Sequence, residues 1–190
     1  MNRINPNYIT LLRLIFFAPL ACVFLANNYP WSALVAMTLG ELTDFMDGQI
    51  ARRTNQISDV GKLLDPLCDS VFHMTIWMTL LHIGWVPLWA VILFFTRDAI
   101  VQTIRSCLVK HGITLAARKS GKIKAVFQGG AQFTLVLLHI FPEGNVFPHM
   151  QITATVLAVL ATVWSFIDYS CCFYWHVREK KVVFTQGAKA

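Results

Sequence analysis

This sequence predicts an all-α integral membrane protein of six transmembrane helices, with both termini in the cytoplasm. Three observations lead there. The 190 residues are 56% hydrophobic and only 14% charged, with a mean hydropathy of +0.55, the balance of a chain that lives in lipid rather than water. Six apolar segments, at about 8–26, 31–50, 63–82, 85–108, 123–141 and 150–174, each approach the ~20 residues that a bilayer requires. The connections alternate in charge: 27–30, 82–87 and 141–149 hold no Lys or Arg, whereas Arg3, Arg52, Arg53, Lys62, Lys110, Arg118, Lys119, Lys122, Lys124, Arg178, Lys180 and Lys181 all fall on the other side. Positive residues mark the cytoplasmic face.

The chain forms one domain, 1–190, without a repeat, a low-complexity run or a Pro/Gly/Ser-rich linker. Its net charge of +6 sits beside the spans, as orientation signals and contacts to anionic headgroups do, so no nucleic-acid partner is expected. Cys22, Cys68, Cys107, Cys171 and Cys172 show no C-x-x-C spacing and read as core packing, with neither a disulfide framework nor a zinc site.

Taken in order, the first span follows Pro6, which suits a helix start; it lacks a small-residue cleavage site and reads as a membrane helix rather than a leader. Arg13 lies one turn inside and is expected to snorkel to lipid headgroups, with a substrate phosphate as the other option. The second span runs into D-F-M-D-G-Q-I-A-R-R, and 53–61 is expected as a short polar cytoplasmic loop. The third opens with Pro66, expected in its first turn, and carries His73 one turn beyond Asp69, as a satisfied core histidine or a substrate contact. The fourth span holds Arg97, Asp98 and Arg105, where a buried guanidinium needs a carboxylate or a bound phosphate beside it. Lys122 and Lys124 open the fifth after the basic stretch K-H-G-I-T-L-A-A-R-K-S-G. The sixth ends in an aromatic belt, W-S-F-I-D-Y-S-C-C-F-Y-W, where Asp168 has no evident role, and the polar tail from Arg178 is expected to be mobile.

The chemistry concentrates between Asp44 and Asp69. Asp44 and Asp47 are three residues apart and Asp65 and Asp69 four apart, so each pair lies on one face of a helix. Four acids at membrane depth are costly unless something positive sits among them. Clustered hard oxygen donors suit Mg²⁺ or Mn²⁺, and two such ions commonly clamp the phosphates of a substrate. Small residues at Gly48 and Ala51 let a helix or a flat base approach the backbone. Glu41, one turn before Asp44, is a supporting carboxylate or a packing residue. An ion transporter or a silent scaffold is the contrasting class, but a transporter needs polar residues across the whole membrane, and the connections opposite these acids hold only Glu143.

The full pattern, D-x-x-D-G-x-x-A-R-x8-G-x3-D-x3-D, resembles the signature of the CDP-alcohol phosphatidyltransferases at every fixed position. The resemblance implies a six-span fold whose active site opens to the cytoplasm (of the inner or plasma membrane in a bacterium), in which CDP-diacylglycerol gives its phosphatidyl group to an alcohol and releases CMP. It implies Asp44, Asp47, Asp65 and Asp69 as ligands of two metal ions, Asp69 also as general base, and Gly48, Ala51, Arg52 and Gly61 around the CDP group; because a metal-bound carboxylate is a weak base, metal-assisted ionisation of the acceptor hydroxyl is an equal alternative to the base. N-P-N-Y-I-T-L-L-R at 5–13, L-D-P-L-C-D, R-D-x6-R and G-K-I-K are similar to the phosphatidylglycerophosphate synthases. That implies glycerol 3-phosphate as acceptor, its phosphate met by Arg97, Arg105, Lys122 and Lys124. Ser70 and Asp98 depart from that subgroup, which usually has lysine and glutamate there, so serine, inositol and inositol phosphate stay open as acceptors. A homodimer is compatible with the resemblance.

Overall fold

The computed structural model describes the backbone of residues 13–54, 59–110, 118–141 and 146–187, and side chains at 13–43, 67–106, 118–141, 148–175 and 178. The described residues are all-helical, with no strand. A π-helical turn, Arg13–Phe17, leads into α1 (Ala18–Ala26), followed by α2 (Pro30–Thr54), α3 (Asp59–His82), α4 (Leu88–Lys110), α5 (Lys119–Ile140) and α6 (Val146–Gly187).

Local sequence explains the connections. After α1, the side chain and backbone N–H of Asn27 both donate to the carbonyl of Val23, and Asn28 takes a positive φ of 60°, a conformation that asparagine tolerates better than most residues. Pro30 then starts α2, where its missing N–H costs nothing. Between α3 and α4 the left-handed position falls on Gly84, with φ 80°.

Helices α1, α2, α5, α6, α4 and α3 pack in a closed ring, each against the next, and α3 also touches α5 across it. Trp77 and Phe94 join α3 to α4 with ring centroids 4.7 Å apart. Met37, Phe72, Leu80, Val91 and Leu135 fill the space beside them and are fully buried. Gly40 lets α2 and α3 meet closely: a Cβ placed there would stand 2.6 Å from Cζ of Phe72.

The outer face inverts the pattern of a water-soluble protein. Trp31 and Val35 on α2, Trp89, Ile92 and Phe95 on α4, and Leu160, Trp164 and Ile167 on α6 are exposed, while Arg13, Arg97, Asp98, Lys124, Gln128 and Gln132 are buried. Exposed apolar surface on this scale belongs against lipid. Among the described residues, Lys119–Ile140 and Pro148–Trp175 are long and apolar enough to cross a bilayer, and Arg13–Ala26 is a shorter apolar helix. At one end of the ring the three connections poor in basic residues come together: His139 bonds to Asn28 at 2.7 Å and stacks on Trp85, Trp31 meets Phe141, and the Gln151 amide donates to the carbonyl of Trp85.

Three local expectations change. The polar loop expected over 53–61 is mostly helix, because α2 continues to Thr54 and α3 begins at Asp59. Hydropathy marks where a chain leaves lipid, not where its helix ends. Pro66 consequently lies two turns inside α3 rather than in its first turn. The tail from Arg178 continues α6 to Gly187: a run with no Pro or Gly and several good helix formers has nothing to stop it before that glycine.

Candidate active site

The signature is carried by two consecutive helices. Asp44, Asp47, Gly48, Ala51 and Arg52 lie on α2, and Gly61, Asp65 and Asp69 on α3. Of these, only the Asp69 side chain is among those described, so the positions of the other side chains lie outside them. The approach of the two helices is nevertheless fixed beside the motif. Gly40 packs on Phe72, and Oε1 of Glu41 lies 3.6 Å from Nε2 of His73. Asp44 comes one turn after Glu41, and Asp69 one turn before His73, so along both helices the close approach lies one turn from a motif position.

Asp69 is half-buried, its side chain 38% exposed, with Nη1 of Arg13 3.6 Å from its Oδ1. Arg13 corrects the expectation of snorkelling. It is 0% exposed, turned inward by the π-helical turn, and its guanidinium stands over the ring of Phe72 at 5.4 Å. A π turn shifts which residues share a face, and it commonly occurs at functional sites. His73 is the second basic group at Asp69, with Nε2 3.6 Å from Oδ1.

A second cluster joins α4, α5 and α6. Asp98 accepts from Arg97 at 2.9 Å and from Lys124 through both oxygens at 2.9 Å. Arg97 also donates to Ser165 at 2.5 Å. The guanidinium groups of Arg97 and Arg105 both stand over the fully buried ring of Tyr169, at 5.4 Å and 5.2 Å from its centroid, and its hydroxyl accepts from Arg105 at 2.5 Å. Two buried cations share the one carboxylate of Asp98, and Arg105 joins them through Tyr169, an excess of positive charge that favours an anion. The same helix that brings Lys124 to Asp98 brings Gln132, two turns further on, to His73 beside Asp69, so α5 links the cluster to the motif. Lys122, two residues from Lys124, is exposed. Arg97, Arg105 and Lys124 come together; Lys122 points elsewhere.

Asp168, without a role in the sequence, anchors the start of α5. Arg118 donates to it through Nε and Nη2 at 2.7 Å and Ser120 at 2.5 Å, and the Asp168 hydrogen bond holds the Arg118 guanidinium above its usual pKa. Gly121 stands against the Tyr169 hydroxyl, 2.9 Å from where a Cβ would lie. Ser165, Asp168 and Tyr169 are three and four residues apart, the spacing of one helix face; that signal was present in the sequence but lay within an aromatic belt.

The four motif acids would offer carboxylate oxygens alone, the chemistry that suits a hard divalent ion, and Asp69, the one whose side chain is described, keeps part of its surface accessible. Among the described residues no three His, Cys, Asp or Glu side chains gather closely enough to hold a metal, and three of the four motif acids lie outside those residues.

The profile of the CDP-alcohol phosphatidyltransferase family matches residues 3–164. A CDP-diacylglycerol–glycerol-3-phosphate 3-phosphatidyltransferase of Bacillus subtilis is 30% identical over 179 residues, covering 86% of this chain and 92% of that protein. A cardiolipin synthase (CMP-forming) of Streptomyces coelicolor is 31% identical over 146 residues, 75% of this chain and 62% of its own length. A probable phosphatidylglycerophosphate synthase of Mycobacterium tuberculosis is 26% identical over 168 residues, covering 86% and 78%. The chain belongs to the CDP-alcohol phosphatidyltransferase family. It is an enzyme of phosphatidyl transfer.

Proposed function

We propose that this enzyme transfers the phosphatidyl group of CDP-diacylglycerol to glycerol 3-phosphate, forming phosphatidylglycerophosphate and CMP. The excess of cations at Arg97, Arg105 and Lys124 carries the choice of a phosphorylated acceptor, and the names of several relatives support it. Two ions, Mg²⁺ or Mn²⁺, bound by Asp44, Asp47, Asp65 and Asp69 would neutralise the diphosphate and the charge that develops on CMP. Arg52 pairs with the donor phosphates, and Gly48, Ala51 and Gly61 leave room for the cytidine. Asp69 holds the acceptor hydroxyl. The hydroxyl oxygen attacks the phosphorus bearing the diacylglycerol, the bond from that phosphorus to the CMP oxygen breaks, and the hydroxyl proton passes to Asp69. Arg105 and Lys124 bind the phosphate of glycerol 3-phosphate.

In the membrane, all six helices span, both termini face the cytoplasm, and the signature opens on that side. The apolar belt and the gathering of the basic-poor connections at one end support this placement. Two copies could share the bilayer as a homodimer.

The test is an acceptor panel with purified protein, labelled CDP-diacylglycerol and divalent metal. Glycerol 3-phosphate should raise CMP release above serine, inositol and inositol phosphate. Phosphatidylglycerol belongs in the panel because one relative is named for CMP-forming cardiolipin synthesis. Preference for any of these over glycerol 3-phosphate would reject the acceptor, and no CMP release with any of them would reject the reaction.

A further inference from the structure

Tyr169, on α6, is 0% exposed and marks the point where three helices meet. From α4, Nη2 of Arg105 donates to its hydroxyl at 2.5 Å. From the start of α5, the backbone N–H of Arg118 donates to the same oxygen at 3.3 Å. Gly121 makes the room, since a Cβ there would stand 2.9 Å from that oxygen. Arg97 and Arg105 lie eight residues apart on α4, about 12 Å along the helix. Both guanidinium groups nevertheless stand over this one ring, at 5.4 Å and 5.2 Å.

Arg97 and Lys124 both have Asp98 beside them. Among the described residues Arg105 meets no carboxylate, and its buried Nε has no hydrogen-bond partner. A carboxylate would fix a guanidinium and cancel its charge. A phenol fixes it with a hydrogen bond and a ring face and leaves the charge whole. Two like charges drawn to one uncharged ring also repel each other, and an anion beside them relieves that repulsion. We propose that Tyr169 is a positioning residue for the acceptor, holding Arg105 in place and fully charged for the phosphate of glycerol 3-phosphate. Its bond from Arg118 ties that guanidinium to the start of α5, the helix that carries Lys124. The inference rests on glycerol 3-phosphate as the acceptor proposed above.

The test is a double-mutant cycle on the purified full-length enzyme, with CMP release followed as glycerol 3-phosphate and CDP-diacylglycerol are varied in turn. Tyr169→Phe keeps the ring and its packing and removes only the hydroxyl. It should raise the KM for glycerol 3-phosphate about fivefold, with kcat and the KM for CDP-diacylglycerol changed less than about twofold. Because Tyr169 acts through Arg105, adding Tyr169→Phe to Arg105→Ala should raise that KM by less than about twofold more, whereas independent effects would multiply. A KM does not depend on how much of a variant folds, so loss of folded protein alone would leave it unmoved. An unchanged KM for glycerol 3-phosphate in Tyr169→Phe, equal weakening of both substrates, or multiplied effects in the double variant would overturn the role of Tyr169 and leave the acceptor standing. Wild-type CMP release driven by serine or inositol, with none driven by glycerol 3-phosphate, would overturn the acceptor and the role of Tyr169 together.

Discussion

Asp98 shows how much one side chain can organise in a low-dielectric interior. Both of its oxygens meet Lys124 and one also meets Arg97, so it orients two cations without neutralising the group of three. Arg105 stands apart from it, held by the Tyr169 hydroxyl and ring, and is the cation best placed to contribute charge to a substrate without losing a carboxylate partner. Arg105→Ala should raise the KM for glycerol 3-phosphate about tenfold, the effect of losing roughly 1.4 kcal/mol of binding. The KM for CDP-diacylglycerol should change far less. Steady-state kinetics with each substrate varied in turn decides it, and equal weakening of both would make Arg105 a support of the fold only. At the motif, Asp44→Asn, Asp47→Asn, Asp65→Asn and Asp69→Asn should each lower turnover by at least ~10²-fold, the scale of losing a positioned charge or acid–base group. A chelator should abolish turnover and added Mg²⁺ or Mn²⁺ restore it; chelator-resistant activity would reject the two-metal site. The Arg97–Asp98 pairing was legible in the sequence because the residues are adjacent. Lys124, 26 residues away, and Ser165, 68 away, were not, since nothing local reports which faces will meet.

Among the helices, α2 and α3 depend on one close contact for their approach beside the motif. A methyl group at position 40 would collide with Phe72, which is itself fully buried and supports Arg13 on its face. Gly40→Ala should therefore destabilise the protein by about 1–3 kcal/mol, as overpacking does, and lower turnover by displacing Arg13 from Asp69. Thermal unfolding in detergent together with CMP release tests both; an unchanged midpoint and rate would mean that Phe72 can move aside freely. Helix positions were readable from the chain because a membrane helix must be long and apolar. Helix ends were not: α2, α3 and α6 continue past their apolar stretches into Arg, Asp and Lys residues that remain helical in water. The inward turn of Arg13 was hidden for a similar reason, because a π turn changes the facing of a residue without any signature in hydropathy.

For the molecule as a whole, the charge asymmetry of the connections makes a directional prediction. Reporters inserted within 55–58 and fused after residue 190 should both mark the cytoplasm, and one at 143–144 the opposite side. The contacts among Asn28, Trp31, Trp85, His139, Phe141 and Gln151 place three connections at a single end of the ring, which is the arrangement this pattern needs. A cytoplasmic signal from 143–144 would invert the protein and remove the site from the cytoplasmic supply of CDP-linked lipid.

Helix α5 carries Ser120, Lys124, Gln128 and Gln132 at four-residue intervals, each buried and each bonded to a different residue: Asp168, Asp98, Thr162 and His73. Two of these partners, His73 on α3 and Asp98 on α4, are made before α5 during synthesis, and two, Thr162 and Asp168 on α6, after it; the stripe is satisfied only once both sides are present. Of the two stretches that are long and apolar enough to span among the described residues, α5 is the less hydrophobic, and its polar groups weaken its entry into lipid as a lone segment. Its insertion should therefore wait at the membrane entrance for α6 to emerge, so that a nascent chain truncated just after Ile140 leaves α5 poorly integrated while one extended through Trp175 carries it fully across.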